Sequence, residues 1–197
     1  MGTFIAAVFF LLITPGPGVL SVAGNGAAYG FRAGAPYLIG VVLGSLIVMG
    51  MVASGLAALV FSVPYVREVL LAASLGYLLY LAFRIATSGG RVALIETAKP
   101  LGFWNGVTLS LINPKAYAVM TAVIGGFKFY PESASIEFAI KLCVFSAMSF
   151  PIHFLWLGLG ASLKKLPLSA RQQRAINIAM AISMLVVVGL AVFFEAG

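Results

Sequence analysis

Six apolar stretches, separated by short polar or basic segments, organise the chain. The first runs from about Gly2 to Ala28 and is interrupted at Thr14-Pro15-Gly16-Pro17-Gly18. The second spans Ala33 to Phe61 and the third Val69 to Ala86. After the more polar stretch Thr87 to Pro100 comes the fourth, about Phe103 to Ile124, interrupted at Asn113-Pro114-Lys115. The fifth runs from Phe138 to Leu163, and the basic loop Lys164 to Arg174 leads into the sixth, Ala175 to Phe194. Each is near or above the roughly 20 residues that cross a hydrocarbon core. In lipid, a lone segment satisfies its own backbone only as a helix. The pattern therefore predicts an all-α integral membrane protein with six transmembrane helices. The short Tyr29–Arg32 linker predicts a tight antiparallel hairpin of helices 1 and 2. At 1.5 Å per residue the second stretch is longer than a ~30 Å core, which predicts a tilted or projecting helix. Pro36 is expected in its first turn, where a missing N–H costs little.

The two halves repeat one device. Pro15 follows Phe4, and Pro114 follows Phe103, by the same spacing, and the two prolines lie about half the chain apart. Three helices per half is an odd number, so the second half must be inverted in the membrane. The chain reads as one transporter domain over 1–197, with repeat 1 at about 2–86 and repeat 2 at about 103–194. Interrupted segments at corresponding positions of two halves point to a transport site.

Composition sharpens the class. Hydrophobic residues make up 62% of the 197 and charged residues 9%. A soluble domain carries about 25% charged residues and cannot bury this much apolar surface. A soluble enzyme and a nucleic-acid-binding domain are excluded, so the net charge of +7 is a matter of topology. Eight of the twelve basic residues fall in the loops after helices 1, 3 and 5 (Arg32, Arg84, Arg91, Lys99, Lys164, Lys165, Arg171 and Arg174). Arg67, Lys128 and Lys141 fall on the other side. By the positive-inside rule both termini are expected outside. The basic loop after helix 5 also suits anionic lipid. The start lacks the basic region of a secretory signal. One cysteine, Cys143, makes neither an intrachain disulfide nor a metal site, and no cofactor is expected.

The twelfth basic residue, Lys115, falls near the centre of the fourth span. A charge there costs at least ~2.5–3.5 kcal/mol. The sequence has no Asp, and none of its five Glu is expected at that depth. Pro15 and Pro17 free the carbonyls of Leu11 and Ile13, and Pro114 frees that of Ser110. Gly16 and Gly18 permit the chain to turn. Two half-helices in each span then meet at mid-bilayer, the second turning its positive N-terminal end to the break. A lysine, helix N-termini and freed carbonyls together describe a site for a zwitterion. The candidate substrate-binding residues are Thr14, Pro15, Gly16, Pro17, Gly18, Asn113, Pro114 and Lys115. His153, the single histidine, follows Pro151 and is a candidate proton relay.

The Thr14-Pro15-Gly16-Pro17 run, the Tyr29-Gly30-Phe31-Arg32-Ala33-Gly34 linker, the Gly76-Tyr77-Leu78-Leu79-Tyr80-Leu81 segment and Asn113-Pro114-Lys115 occur in this order over nearly the whole chain. In these motifs the chain resembles the LysE/RhtB family of bacterial amino-acid exporters. That resemblance implies export of amino acids or related metabolites across the bacterial inner membrane, driven by the proton gradient. Many members have Asn directly after Pro-Gly-Pro, where this chain has Gly18.

Other readings of the same residues stand beside these. The Pro-Gly break is also a packing kink, and Lys115 can snorkel to an interface along its stem. Asn113 can cap freed backbone, and His153 can be a neutral histidine bonded to a carbonyl. Gly40 and Gly44 suit close helix packing or a homodimer face. Cys143 reads as a small buried hydrophobe. Tyr77 and Tyr80 read as cavity lining or packing, and Phe103, Trp104, Phe129 and Tyr130 as interfacial anchors. A channel or membrane assembly subunit is the alternative to a transporter. A membrane enzyme is weaker still, because Cys143 and His153 lie ten residues, roughly 15 Å, apart on one helix.

Overall fold

The computed structural model describes residues 1–14, 16–66 and 99–166 continuously, with 69, 72, 73, 76, 79, 80, 83, 169, 171, 172, 174, 175, 178, 179 and 182. Among these residues there are seven helices and no strand. They are α1 (Gly2–Ile13), α2 (Pro17–Tyr29), α3 (Phe31–Ala53), α4 (Leu56–Phe61), α5 (Phe103–Ile112), α6 (Pro114–Gly125) and α7 (Ala134–Lys165). The third and sixth apolar stretches and the Thr87–Pro100 segment lie mostly outside the described residues, as do Pro15 and Tyr77.

Both interrupted spans are broken where the prolines stand. Thr14 ends α1 in an extended conformation (φ −60°, ψ 124°), as befits a residue before proline. Pro17 opens α2 at its first position, where its missing N–H has no helical partner to lose. The same logic holds at Asn113 (φ −80°, ψ 110°) and Pro114, which opens α6. The pair α1–α2 bends by more than 40°, and α5–α6 by 69°. Each bent pair is long and apolar enough for one broken membrane span or a re-entrant loop, and α3 and α7 are each long and apolar enough to cross alone.

The hairpin linker contracts to one residue. Gly30 ends α2 and starts α3 at φ 88°, a left-handed angle that favours glycine. Because α3 begins at Phe31, Pro36 lies in its second turn, not its first. The long second stretch is also not one helix. It stops at Ala53, turns through Ser54 and Gly55 (φ 76°), and resumes as α4. At 23 residues α3 is about 34 Å long and matches the core without a large tilt. Conversely, α7 starts four residues earlier than the hydropathy suggests, because Ser133 caps it by accepting from the Ile136 amide at 3.4 Å.

Two close helix crossings hold the bundle. On α3, a Cβ added at Gly40 would come within 2.0 Å of the Phe103 carbonyl oxygen, and one at Gly106 of α5 within 2.2 Å of that of Tyr37. On α7, a Cβ at Gly160 would meet the Ala23 carbonyl at 2.0 Å, and one at Gly26 of α2 the Leu157 carbonyl at 2.5 Å. Backbones thus touch backbones at both crossings. The Gly40–Gly44 face is covered by α5 and is not free for a second copy, which removes the homodimer reading of that face. One apolar cluster (Val22, Tyr37, Leu38, Leu101, Leu157) gathers the α2–α3 hinge, the start of α5 and the C-terminal half of α7. A second (Phe4, Met49, Val123, Phe145) gathers the start of α1, the end of α3 and the α6–α7 turn. The first cluster lies toward the basic loops, the second toward the opposite face.

Lys141 is the largest departure from the sequence reading. The early start of α7 puts it two turns into the helix, where it is 2% exposed, not at the outer end of the span. Its ammonium donates to the carbonyls of Ile124 (2.7 Å) and Phe127 (2.6 Å) and pairs with Glu137 at 2.7 Å. Glu137 in turn accepts from the amides of Phe129 and Tyr130. The pair therefore ties the α6–α7 turn to α7. Phe129 packs against Phe4 at 5.3 Å and is not an exposed anchor, whereas Trp104, 75% exposed, fits that role. Cys143 is exposed, not buried. Lys141→Met is expected to lower the thermal midpoint of the purified protein by several degrees, since it leaves Glu137 and two carbonyls without their partner. Adding Glu137→Gln should recover part of that loss, as followed by circular dichroism on heating.

Candidate functional site

The two breaks face one another. Thr14, Gly16, Gly18, Asn113, Lys115 and His153 all line a single cavity between the two apolar clusters. Pro17 and Pro114 flank it as the first residues of α2 and α6, so both helices start at the cavity and turn their positive ends toward it. Pro15 lies outside the described residues. The cavity measures about 70 Å³. Among the described residues, neither Asp nor Glu lines it.

Lys115 crosses from one broken span to the other. Its Nζ donates to the carbonyl oxygen of Thr14 at 3.0 Å. The stem runs along Gly16, where an added Cβ would come within 2.7 Å of Nζ and 2.9 Å of Cδ. Gly16 is extended (φ −159°), so its backbone angle does not call for glycine; a Cβ there would press on the lysine stem, which would have to shift. Thr14 turns both its amide (3.1 Å) and its hydroxyl (2.5 Å) to the Phe10 carbonyl. The group it presents to Lys115 is its backbone carbonyl. Asn113 accepts from the Lys115 amide through its side-chain oxygen at 3.1 Å and so caps α6. The capping role of Asn113 coexists with its place on the cavity wall.

His153 is buried, with Nδ1 at 2.8 Å from the Ser149 carbonyl. A carbonyl only accepts, so Nδ1 carries the proton in this bond, and in the neutral ring Nε2 is the acceptor. Nε2 lies toward Gly18: a Cβ added there would sit 4.0 Å from it and 3.6 Å from Val41. Those are ordinary contacts, so the space that glycine leaves at position 18 is real. Cys143 and His153 share no site, since one is exposed and the other lines the cavity.

Sequence reasoning missed the rest of the wall. Ser45 of α3 and Ser110 of α5 both donate to the Val41 carbonyl, at 2.9 and 2.7 Å, and lie 3.4 Å apart. Leu12, Val19, Val119, Met120 and Phe145 make the wall mostly apolar. The available signal was a hydroxyl in each of two apolar runs, which is weak because serines also bond their own helix.

The description that fits this arrangement comes from known proteins. The model of the LysE type translocator matches residues 9–195. The leucine efflux protein of Salmonella choleraesuis (strain SC-B67) is 30% identical over 173 residues, covering 78% of this chain and 81% of that protein. The cysteine/O-acetylserine efflux protein of Escherichia coli O1:K1 / APEC is 29% identical over 136 residues, 69% of each chain. No solved structure matches the chain. With the family match running over nearly its whole length, the protein belongs to the LysE type translocator family: it is a membrane transporter and not an enzyme.

Proposed function

We propose that the protein exports small neutral amino acids, or metabolites like them, from the cytoplasm across the bacterial inner membrane by proton antiport. The observation that carries this reading is a lysine at the meeting point of two broken spans, with no acidic residue among the described residues of the cavity wall. Lys115 and the N-terminal ends of α2 and α6 take the substrate carboxylate, and the carbonyl of Thr14 its ammonium. Gly16 and Gly18 make room, Pro15, Pro17 and Pro114 set the breaks, and Asn113 holds the start of α6. The apolar wall from Leu12 to Phe145 suits an uncharged side chain. Relatives named for leucine and for cysteine or O-acetylserine efflux support that class. Six spans in two inverted repeats, with both termini outside, complete the reading.

The test uses purified protein in liposomes loaded with leucine or cysteine, with and without an imposed pH gradient. Gradient-accelerated efflux supports the proposal, and conductance indifferent to the gradient and to amino acids overturns it. Lys115 and His153 are the titratable side chains lining the cavity. His153→Gln is expected to remove the acceleration by the gradient while leaving leucine exchange in place. Full gradient response in that variant would reassign the proton.

Position 18 sets the size of the cavity. Gly18→Asn is expected to keep the fold, because a Cβ fits there. The longer side chain fills space beside His153 and should lower leucine export about tenfold relative to cysteine, the scale of discrimination that pocket volume gives. Competition assays with the two amino acids measure the ratio.

A further inference from the structure

We propose that the Thr14 carbonyl is an ammonium site and that Lys115 is its tethered occupant, a stand-in that an α-amino acid displaces. This rests on the export reading above and adds how the empty carrier is stabilised. In a continuous helix the Thr14 carbonyl would accept from the amide of Gly18, but α1 stops at Ile13 and α2 starts afresh at Pro17. The bond that the break takes away is replaced by Lys115 Nζ, from the other half of the chain. Gly16 clears the path for the stem.

The cavity is consistent with a seated lysine. At about 70 Å³ it is under half of the ~150 Å³ that holds a benzene molecule, so a whole amino acid does not enter while the lysine is in place. Lys115, on a four-carbon flexible stem, is the group that can leave. A substrate carboxylate draws its ammonium away, and the substrate's own ammonium then takes the vacated carbonyl. One ammonium replaces another, so the carbonyl keeps a donor in both loaded and empty states. A carbonyl left bare in a mostly apolar cavity is less stable than one that keeps a donor. After release, Lys115 returns to Thr14, and the carrier reorients without substrate. An amine lacking a carboxylate has nothing with which to draw the lysine off and is not transported.

The first test adds back the piece that a substitution removes. Purified Lys115→Met is titrated with n-butylammonium while its thermal midpoint is followed. The amine should raise the midpoint of the variant and leave the wild type unmoved. No rise in the variant, or an equal rise in both, overturns the tether. The second test keeps the lysine and blocks its seat. In Gly16→Ala liposomes, net leucine efflux should fall about tenfold or more, because the empty carrier must return with a bare carbonyl. Exchange of internal for external leucine needs no empty return and should fall less than net efflux, so that the ratio of exchange to efflux rises. Unchanged rates, or equal loss of both, overturn the tether and leave the export reading standing. Wild-type protein that moves no amino acid at all removes the export reading and this inference with it.

Discussion

Lys115→Ala is expected to abolish amino-acid export while the protein still reaches the membrane. The substitution removes the positive side chain that lines the cavity and leaves the Thr14 carbonyl without the bond it makes at 3.0 Å. A hydrogen bond to a charged group contributes about 1.5–3 kcal/mol, which is at least tenfold in apparent affinity. The helix ends at Pro17 and Pro114 remain, so a weak residual attraction for the carboxylate survives. Lys115→Arg should also fail to restore full activity. A guanidinium is broader than an ammonium, and the stem already passes Gly16 with no room for a Cβ. Cells expressing each variant, loaded with a leucine-containing dipeptide and followed for leucine retention, give the readout, with membrane fractions confirming insertion. Export of Lys115→Ala at the wild-type rate would move the site elsewhere.

That site was legible because membranes make exceptions conspicuous. A Pro-Gly cluster in an apolar run and a lysine at mid-span each contradict their surroundings, and the two coincide in corresponding segments. The architecture beyond the breaks was harder to read. Hydropathy stays high through Ser54 and Gly55, so nothing in the apolar pattern marks the end of α3; only the left-handed Gly55 does. Lys141 reads as an outer-side charge at the end of a span until the turn before α7 is seen to supply two carbonyls and Glu137 to supply a carboxylate. The Glu-to-Lys spacing of four residues was a readable clue to a helix there, but burial depends on α6 arriving from elsewhere. The outward face of Cys143 likewise depends on which neighbours α7 receives. Ser45 and Ser110 meet only because Gly40, Gly44 and Gly106 bring α3 and α5 together, and that is a property of the pair of helices, not of either sequence.

The same crossing gives the second large effect. Gly40→Val is expected to collapse transport and to destabilise the protein. A Cβ at position 40 would lie 2.0 Å from the Phe103 oxygen and 2.8 Å from its carbonyl carbon. Both are backbone atoms at the first residue of α5, so no side-chain rotation relieves the clash, and α5 must move by more than 1 Å. Overpacking of a well-filled interior costs about 1–3 kcal/mol and sometimes more. Here the upper end applies, because backbone and not side chain must give way. The displacement also reaches the site, since α5 ends at Asn113, which caps α6 and thereby sets where Lys115 starts. A misplacement of about 1 Å in a binding constellation can cost on the order of a hundredfold. Gly50→Ala, one helix face and three turns away on the same α3, is the matched control. An added Cβ there meets nothing within 4 Å, so alanine should stabilise the helix by about 0.5–1 kcal/mol and leave transport intact. Thermal midpoints in detergent and leucine efflux from liposomes, measured on both variants, separate a specific crossing from a general intolerance of α3 to substitution. Equal tolerance of the two changes would mean that α3 and α5 do not pack backbone to backbone.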